Sequence, residues 1–171
     1  MTLEELAEHI KSCTRCQLRE NCASPVPGIG SINSKYLLIG EAPGKHEDEA
    51  GVPFVGLAGK RLDKLLNVAD ISLNDCYLTN VVRCRPAQNR DPKKSEIRSC
   101  LKWLQEEVNL VRPKYIITLG RIPLSLFSPY GIKQMHGTMF EYTIPSVCAD
   151  PSGIAVNETR NDAQHNGKPG R

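Results

Sequence analysis

The sequence lacks the marks of a membrane or secreted protein. Its 171 residues contain no apolar run of membrane-spanning length, and the opening residues MTLEELAEHI are charged and helical in pattern instead of signal-like. We therefore expect an intracellular protein without a membrane partner. Its net charge is only +3, a mild lean towards polyanions that does not by itself indicate nucleic-acid binding.

Internal repeats are also missing, and the four histidines show no metal-ligand spacing. What remains is the composition of a soluble globule, with 40% hydrophobic and 24% charged residues. The length suffices for one domain with a real core. We expect a single domain over residues 1–155 and a polar, disordered tail over 156–171, where only Val156 and Ala163 are apolar.

Cysteine, in contrast, is plentiful. Seven in an intracellular chain of this size favour metal ligation over disulfides. The pair Cys13-x2-Cys16, followed by Cys84 and Cys100, suits a tetrahedral set of thiolates, and zinc and a four-iron cluster both accept four cysteines. Buried thiols without a ligand are the alternative interpretation. Outside this pattern lie Cys22, a possible spare ligand, and two expected core residues, Cys76 and Cys148.

Strand-like and helix-like segments alternate along the chain, which predicts an α/β fold with a parallel sheet and helices on both faces. A Thr2–Glu5 capping box opens the first helix. Asp91, followed by Pro92, is predicted to cap the helix that ends before Pro113. The predicted strands are Tyr36–Gly40, Cys76–Val82, Tyr115–Gly120 and Thr143–Ala149; helices are also expected over residues 57–69 and 123–127.

Ligands of such sheets bind beyond the carboxyl ends of the strands. The stretch GEAPGKHEDEAGVPFVGLAG, from Gly40 to Gly59, lies there and reads as a glycine-rich, acidic loop with one aromatic residue, Phe54. Asn80 at the end of the second strand and Asp150 after the fourth belong to the same edge. The expected binding site therefore combines these side chains.

Six stretches match one known family in order and spacing: CTRC, GEAPG, EDEAGVPFVGLAG, YLTNVVRCRPAQNRDP, EIRSC and RPKYIITLG, between Cys13 and Gly120. The chain resembles the family 4 uracil-DNA glycosylases, the iron–sulfur branch of their superfamily. The resemblance implies a three-layer α/β/α sandwich with a central four-stranded parallel sheet. It also implies a 4Fe-4S cluster on Cys13, Cys16, Cys84 and Cys100. The implied activity is DNA repair by hydrolysis of the uracil N-glycosidic bond, leaving an abasic site. We expect a monomer that acts on DNA containing uracil.

The chemistry of that reaction assigns roles at the predicted site. Phe54 would stack on a base flipped out of the duplex, and the Asn80 amide would match O4 and N3–H of uracil. Glu41 is the candidate for positioning water and stabilising positive charge on the sugar, while the backbone around Ala42 and Pro43 would hold the base. The alternatives are a core phenylalanine, an asparagine satisfied by local backbone and a solvated acid.

One motif departs from the family. The His-Pro-small element after the fourth strand is replaced by ADPSGIA, which also resembles the Asn-Pro-Ser-Gly motif of the mismatch-specific branch. An ionised Asp150 cannot donate to the leaving base; this catalytic candidate could help only if protonated or if it acts on the water. We therefore expect weak activity, or activity on another lesion. Ser152 is a candidate phosphate contact, and Ile154 a candidate wedge in the base stack or an ordinary apolar residue. Because the sequence after Ala155 is polar, we expect the family's final helix to be absent and the end of the chain to be truncated or altered.

Six basic residues lie around Cys84 in the sequence. We predict that they contact phosphates independently of the base sequence, and the alternative interpretation is a solvated basic face. They are Arg83, Arg85, Arg90, Lys93, Lys94 and Arg98. Asp91 and Asp63 read as helix caps and surface charge. Glu47 and Asp48 read either as solvated charges or as residues that shape the pocket edge. Two rival hypotheses stay open: a catalytically poor DNA- or uracil-binding module of the same fold, and a zinc protein with no base pocket.

Overall fold

A parallel sheet of three strands forms the centre of the computed structural model, which describes residues 1–141. The strands are β1 (Tyr36–Gly40), β2 (Cys76–Asn80) and β3 (Tyr115–Thr118), in the order β2-β1-β3. All three run in the same direction, so their carboxyl ends meet at one edge. These three predicted strands are confirmed, whereas the predicted fourth strand, the domain boundary at 155 and the tail lie outside the described residues.

Six helices accompany the sheet in the described part of the chain. They are α1 (Leu3–Lys11), α2 (Lys45–Ala50), α3 (Leu57–Val68), α4 (Lys94–Val111), α5 (Arg121–Leu124) and α6 (Ile132–Met135). Single 3-10 turns occur at Gln17–Asn21, Leu73–Asp75 and Ala87–Asn89. The predicted capping box of α1 is present: the Thr2 hydroxyl accepts from the Glu5 N–H at 3.2 Å, and Glu5 Oε2 from the Thr2 N–H at 2.9 Å.

Apolar side chains pack on both faces of the sheet because neighbouring strand residues point to opposite sides. Leu37 and Ile39 of β1 belong to the larger cluster, which also holds buried residues of α1 and α4. Leu38 points the other way and packs with Leu62 and Leu66 of α3. Helices therefore cover both faces, as the α/β prediction requires.

The predicted start of α4 is wrong. Lys93, not Asp91, is the N-cap, and its N–H donates to Glu96 Oε2 at 2.7 Å. Glu96 is buried and also binds both terminal nitrogens of Arg90, which fixes the first turn at this position. The Asp91 carboxylate is engaged elsewhere, with Arg121.

A buried ion pair joins α4 to the chain that follows β2. The side chains of Arg83 and Glu107 are 1% and 0% exposed, and Arg83 Nη2 lies 2.8 Å from Glu107 Oε2. The Thr79 hydroxyl donates to the same carboxylate oxygen at 2.6 Å and accepts from Arg83 Nη1. Glu107 Oε1 accepts the Gly28 N–H at 2.9 Å. The network thus ties three separate chain segments together below the carboxyl edge.

None of the helices over residues 1–141 is long and apolar enough to span a membrane.

Replacing Arg83 with Met should lower the free energy of unfolding by about 3–5 kcal/mol, because it leaves the Glu107 charge buried without its partner. Urea unfolding followed by circular dichroism measures the change. Arg98→Met is the matched control: Arg98 is exposed on α4, so its loss should change stability by no more than about 0.5 kcal/mol. Equal stability of the two variants would contradict the structural role of the ion pair.

Candidate active site

The carboxyl edge of the sheet collects polar residues from all three strands. Glu41 directly follows β1, Asn80 is the last residue of β2, and Arg121 begins α5 shortly after β3. Backbone pairing continues past the strands, since the Val81 N–H donates to the Gly40 carbonyl at 2.8 Å and the Val82 N–H to the Glu41 carbonyl at 3.2 Å. The ends of β1 and β2 are therefore held firmly side by side.

Asn80 and Phe54 converge on Gly40. A Cβ placed on Gly40 would lie 2.4 Å from Asn80 Oδ1 and 2.8 Å from Phe54 Cζ. The amide and the tip of the ring thus approach the same small space, which exists only because residue 40 has no side chain. These two predicted site residues are brought together as the sequence suggested.

The Asn80 side chain is 4% exposed. Within residues 1–141, the buried side-chain atoms without a hydrogen-bond partner are Ser34 Oγ and Arg83 Nε, and the Asn80 amide is not among them. Because the Asn80 amide makes no hydrogen bond to another described side chain, its polar atoms are satisfied by solvent at the carboxyl edge. The arrangement leaves both the donor and the acceptor of Asn80 available to a ligand.

Phe54 holds its position through an unusual backbone conformation. Its φ is 59°, in the left-handed region that few non-glycine residues adopt and that often marks functional sites. The first turn of α3 packs directly on it: a Cβ on Gly59 would lie 1.6 Å from the Phe54 carbonyl oxygen. Only glycine fits at residue 59, and this close contact fixes the loop that carries the ring.

Glu47 of α2 binds both ends of the segment that carries Phe54. Its Oε1 accepts the Gly56 N–H at 2.7 Å, and its Oε2 accepts the Gly44 N–H at 3.1 Å. The side chain is buried, so reading Glu47 as a solvated charge was wrong. Asp48 is also engaged, because its Oδ1 accepts the Ala23 N–H at 3.0 Å. The stretch read as a flexible loop therefore contains a short helix whose acid binds both of its flanks.

A pocket of about 100 Å³ lies beside this edge. Glu41, Ala42 and Pro43, all predicted to be site residues, line it. The remaining lining residues are Gly44, Pro86, Asn89 and Arg90. Pro86, Asn89 and Arg90 belong to the loop after β2, so the pocket lies between the ends of β1 and β2.

Glu41 is half-buried in this pocket, and burial is the main cause that raises its pKa above the ordinary value. The neighbouring Asp91 carboxylate raises the pKa of Glu41 further, whereas the Arg121 guanidinium lowers it. Asp91 was read from the sequence as a helix cap. The structure instead places it beside the candidate catalytic acid, with its Oδ2 bonded to Arg121 Nη2.

The predicted basic cluster around Cys84 does not form one surface. Arg83 is fully buried, so its predicted phosphate contact is wrong: the ion pair with Glu107 holds it in the core. Arg85 donates through Nε to Asn89 Oδ1 at 2.8 Å. Arg90, Lys93, Lys94 and Arg98 are exposed, although Arg90 is also paired with Glu96. Arg90 is the one of these that also lines the pocket.

Cys13, Cys16, Cys84 and Cys100 line one cavity, next to the loop after β2. Two of the sulfurs already accept hydrogen bonds: the Trp103 Nε1–H donates to Cys13 Sγ at 3.2 Å. The Arg83 backbone N–H donates to Cys100 Sγ at 3.3 Å. Donors of this kind stabilise negative charge on thiolate ligands.

In the region that the structure describes, no three His, Cys, Asp or Glu side chains are close enough to hold a single metal ion. Burial raises the pKa of the Cys16 and Cys84 thiols, and that of Cys100 to about 11. Thiols buried in this way ionise only with a compensating positive charge such as a metal centre. The four cysteines nevertheless line one cavity, so their thiolates are the described groups that could hold a metal centre together.

The other described cysteines are buried and free. Cys76 packs in the cluster on the α3 face of the sheet, as the sequence predicted. Cys22 lies close to Cys84, and a contact with Cys22 contributes to the raised pKa of the Cys84 thiol. Cys22 does not line the four-cysteine cavity. Cys148 lies outside the described residues.

Three further predicted site residues also lie outside the described residues: Asp150, Ser152 and Ile154. Their predicted roles in catalysis, at a phosphate and in the base stack stay predictions.

Comparison with known sequences identifies the class. The uracil DNA glycosylase superfamily matches residues 27–168, which is most of the chain. The protein therefore belongs to that superfamily, and this match includes the strands, the pocket, Asn80 and Phe54.

Individual relatives refine the picture. The chain is 42% identical to the type-4 uracil-DNA glycosylase of Saccharolobus solfataricus over 133 residues, 77% of this chain and 62% of the relative. It is 43% identical to the enzyme of that name from Pyrobaculum aerophilum, over 71% of this chain and 62% of the relative. A type-5 uracil-DNA glycosylase of Thermus thermophilus is 37% identical over 66% and 58%. The chain spans about three fifths of the length of these relatives.

Sequence reasoning missed Asn89 and Asp91 and did not rank a structural role of Glu47 above a solvated charge. A signal for Glu47 existed, because a glycine three residues before an acid at the start of a helix can form half of a capping box. Asn89 and Asp91 carried no local signal, since their positions depend on how the loop after β2 folds back over β1.

Replacing Glu47 with Ala should free the amides of Gly44 and Gly56 and lower the free energy of unfolding by about 2–3 kcal/mol, the scale for buried bonds to a charged acceptor. Amide hydrogen exchange measured by NMR should become faster at both glycines. Glu49→Ala is the control, because Glu49 is exposed on the same helix. Unchanged exchange at Gly44 and Gly56 would show that Glu47 does not hold the loop.

Proposed function

We propose that the protein is a DNA repair glycosylase that flips uracil out of DNA and hydrolyses its N-glycosidic bond, leaving an abasic site. The observation that carries this proposal is that the amide of the buried residue Asn80 and the tip of the Phe54 ring meet at Gly40. The names of the relatives support the choice of uracil.

Two side chains would recognise different parts of the base: Asn80 would bind its hydrogen-bonding edge, and Phe54 would contact its flat face. The Asn80 side chain offers a donor for O4 and an acceptor for N3–H of uracil, and cytosine presents the reverse pattern. The Phe54 ring would stack on the face, and stacking contributes about 1–3 kcal/mol per base. The backbone around Ala42 would hold another edge, while Pro43 has no N–H to donate.

Hydrolysis requires an attacking water and stabilisation of the charge that develops on the sugar. Glu41 is the residue for both tasks, because it lies in the pocket next to Gly40 and its ionised carboxylate can orient water by accepting a hydrogen bond. The roles of Asp150, Ser152 and Ile154 belong to the same proposal: Asp150 acts on the attacking water or, when protonated, on the leaving base, Ser152 contacts a phosphate and Ile154 enters the vacated base stack. The proposal also includes a reduced rate of uracil excision, because Asp150 replaces the histidine of the family.

Cys13, Cys16, Cys84 and Cys100 would hold a 4Fe-4S cluster. The shared cavity and the N–H donors on two sulfurs support this assignment. When bound, such a cluster would serve as a structural centre that crosslinks the N-terminal segment, the loop after β2 and α4. Exposed Lys93 and Arg90, with Arg85 beside them, would then present positive charge to phosphates from an anchored loop. The proposal includes a fourth parallel strand and a three-layer sandwich.

The second candidate is a binding module of the same fold that holds uracil-containing DNA and cleaves it poorly. The substitution at Asp150 favours it, because an ionised acid would repel the leaving base.

A uracil-containing oligonucleotide followed by alkaline cleavage tests the activity. The unaltered protein should nick it, and Gly40→Ala should lower the rate by about a hundredfold or more, because the added methyl occupies the space between Asn80 and Phe54. Gly131→Ala is the control, since nothing lies within 4 Å of its Cβ. DNA binding without cleavage by the unaltered protein would replace the first candidate with the second.

Replacing Cys84 with Ala should remove most of the iron and the broad absorbance at about 400 nm that is expected of thiolate–iron charge transfer. Cys76→Ala is the control, because Cys76 is buried on the other face of the sheet and should leave the iron content unchanged. Elemental analysis of protein purified without oxygen measures both. One zinc ion per chain in place of iron would contradict the cluster.

A further inference from the structure

The four-cysteine cavity has a buried cation in its wall. Arg83 lines it together with Cys13, Cys16, Cys84 and Cys100. Its backbone N–H donates to Cys100 Sγ at 3.3 Å, and it directly precedes Cys84 in the chain. The Arg83 side chain is only 1% exposed. A positive charge is therefore fixed beside the cysteines, out of contact with bulk water.

One nitrogen of this guanidinium has no acceptor among the described residues. Arg83 Nη1 donates to the Thr79 hydroxyl, and Nη2 donates to Glu107 Oε2 at 2.8 Å. Arg83 Nε is also buried, but no residue in the described part of the chain accepts its hydrogen. Because buried polar atoms almost always have a hydrogen-bond partner, we expect Nε to donate to another group.

We propose that Arg83 Nε donates a hydrogen bond to a sulfur atom of the metal centre held by the four cysteines, and that this bond raises the reduction potential of the centre. This inference rests on the proposed function, in which these cysteines hold a 4Fe-4S cluster. Hydrogen bonds to the sulfurs are among the factors that set the potential of such clusters. A donor stabilises the reduced, more negative state more than the oxidised state, which gives the direction of the effect.

The two other arginines that line this cavity are Arg15 and Arg19. Arg15 Nε donates to the Ser99 carbonyl at 3.1 Å, and Arg19 Nη1 donates to the Cys22 carbonyl at 3.1 Å. Arg15 is exposed and Arg19 is half-buried, so water can bind their remaining N–H groups. Among the arginines of the cavity, Arg83 is therefore the one with a buried donor that lacks a described acceptor.

The test is pulsed electron paramagnetic resonance of protein that contains arginine labelled with nitrogen-15 at Nε alone. The protein is purified without oxygen, and its cluster is reduced with dithionite. We expect a nitrogen-15 coupling to the cluster in the unaltered protein. Arg83→Lys should lose the coupling, because lysine keeps a positive charge opposite Glu107 but has no Nε–H group. Arg15→Lys and Arg19→Lys are the matched controls and should retain it.

Redox titration of the same variants is the second readout. Arg83→Lys should shift the midpoint potential to more negative values. At a fixed potential, the ratio of reduced to oxidised cluster should fall roughly threefold to tenfold, the scale of one net hydrogen bond. Arg15→Lys should leave the potential unchanged. An Arg83 that only stabilises the fold through Glu107 would produce neither the coupling nor the shift.

The unaltered protein and the two control variants decide the assignment even if Arg83→Lys does not fold. A coupling that persists in Arg15→Lys and in Arg19→Lys belongs to Arg83. An iron-loaded protein without a coupling, a coupling that either control removes, or an unshifted potential in Arg83→Lys would overturn the inference.

Iron content and uracil excision, measured on the same samples, separate this inference from the proposed function. Iron without an Arg83 coupling removes the inference alone and leaves the cluster in place. Zinc in place of iron overturns both the cluster and the role of Arg83. A protein that shows the coupling but excises no uracil supports the inference and contradicts the proposed activity.

Discussion

The site depends on a missing side chain. Gly40 ends β1 at the point where the Asn80 amide and the Phe54 ring approach each other, and any Cβ there would collide with both. The backbone on both sides of this gap is fixed. β2 is paired to β1 beyond the last strand residues, and α3 packs against the backbone of Phe54. Preorganisation of this kind lets a small site select a base by shape and hydrogen bonds together, because the groups are in place before the ligand arrives.

A buried hydrogen-bond network lies below the carboxyl edge of the sheet. Arg83 binds Glu107 and Thr79 with its side chain, and its backbone N–H binds the Cys100 sulfur. Thr79 is the direct neighbour of Asn80, so one buried arginine connects the four-cysteine cavity to the strand that carries Asn80. Removing either partner would leave a buried charge unpaired, so the Arg83–Glu107 pair favours one arrangement of β2 and α4, although Arg83 Nε has no hydrogen-bond partner in the described residues.

Local patterns were enough to predict much of this. The apolar run YLLIG, ended by glycine, predicted β1, and the period of Leu62 and Leu66 predicted the buried face of α3. The meeting of Phe54 and Asn80 followed from the rule that parallel strands present their carboxyl ends at one edge. The sequence patterns could not predict which charged residues are buried and which are exposed. Arg83 and Arg85 look alike in sequence, yet only Arg83 is opposite a buried acid on α4, a contact between residues distant in sequence.

The central claim is that uracil is held edge-on by Asn80 beside the Phe54 ring. Titration of free uracil into protein labelled with nitrogen-15 tests it most directly, through the side-chain amide signals of Asn80. We predict saturable shifts of those signals, with ring-current changes from Phe54 at the same uracil concentrations. Saturable binding of uracil that leaves the Asn80 amide signals unmoved would contradict the account.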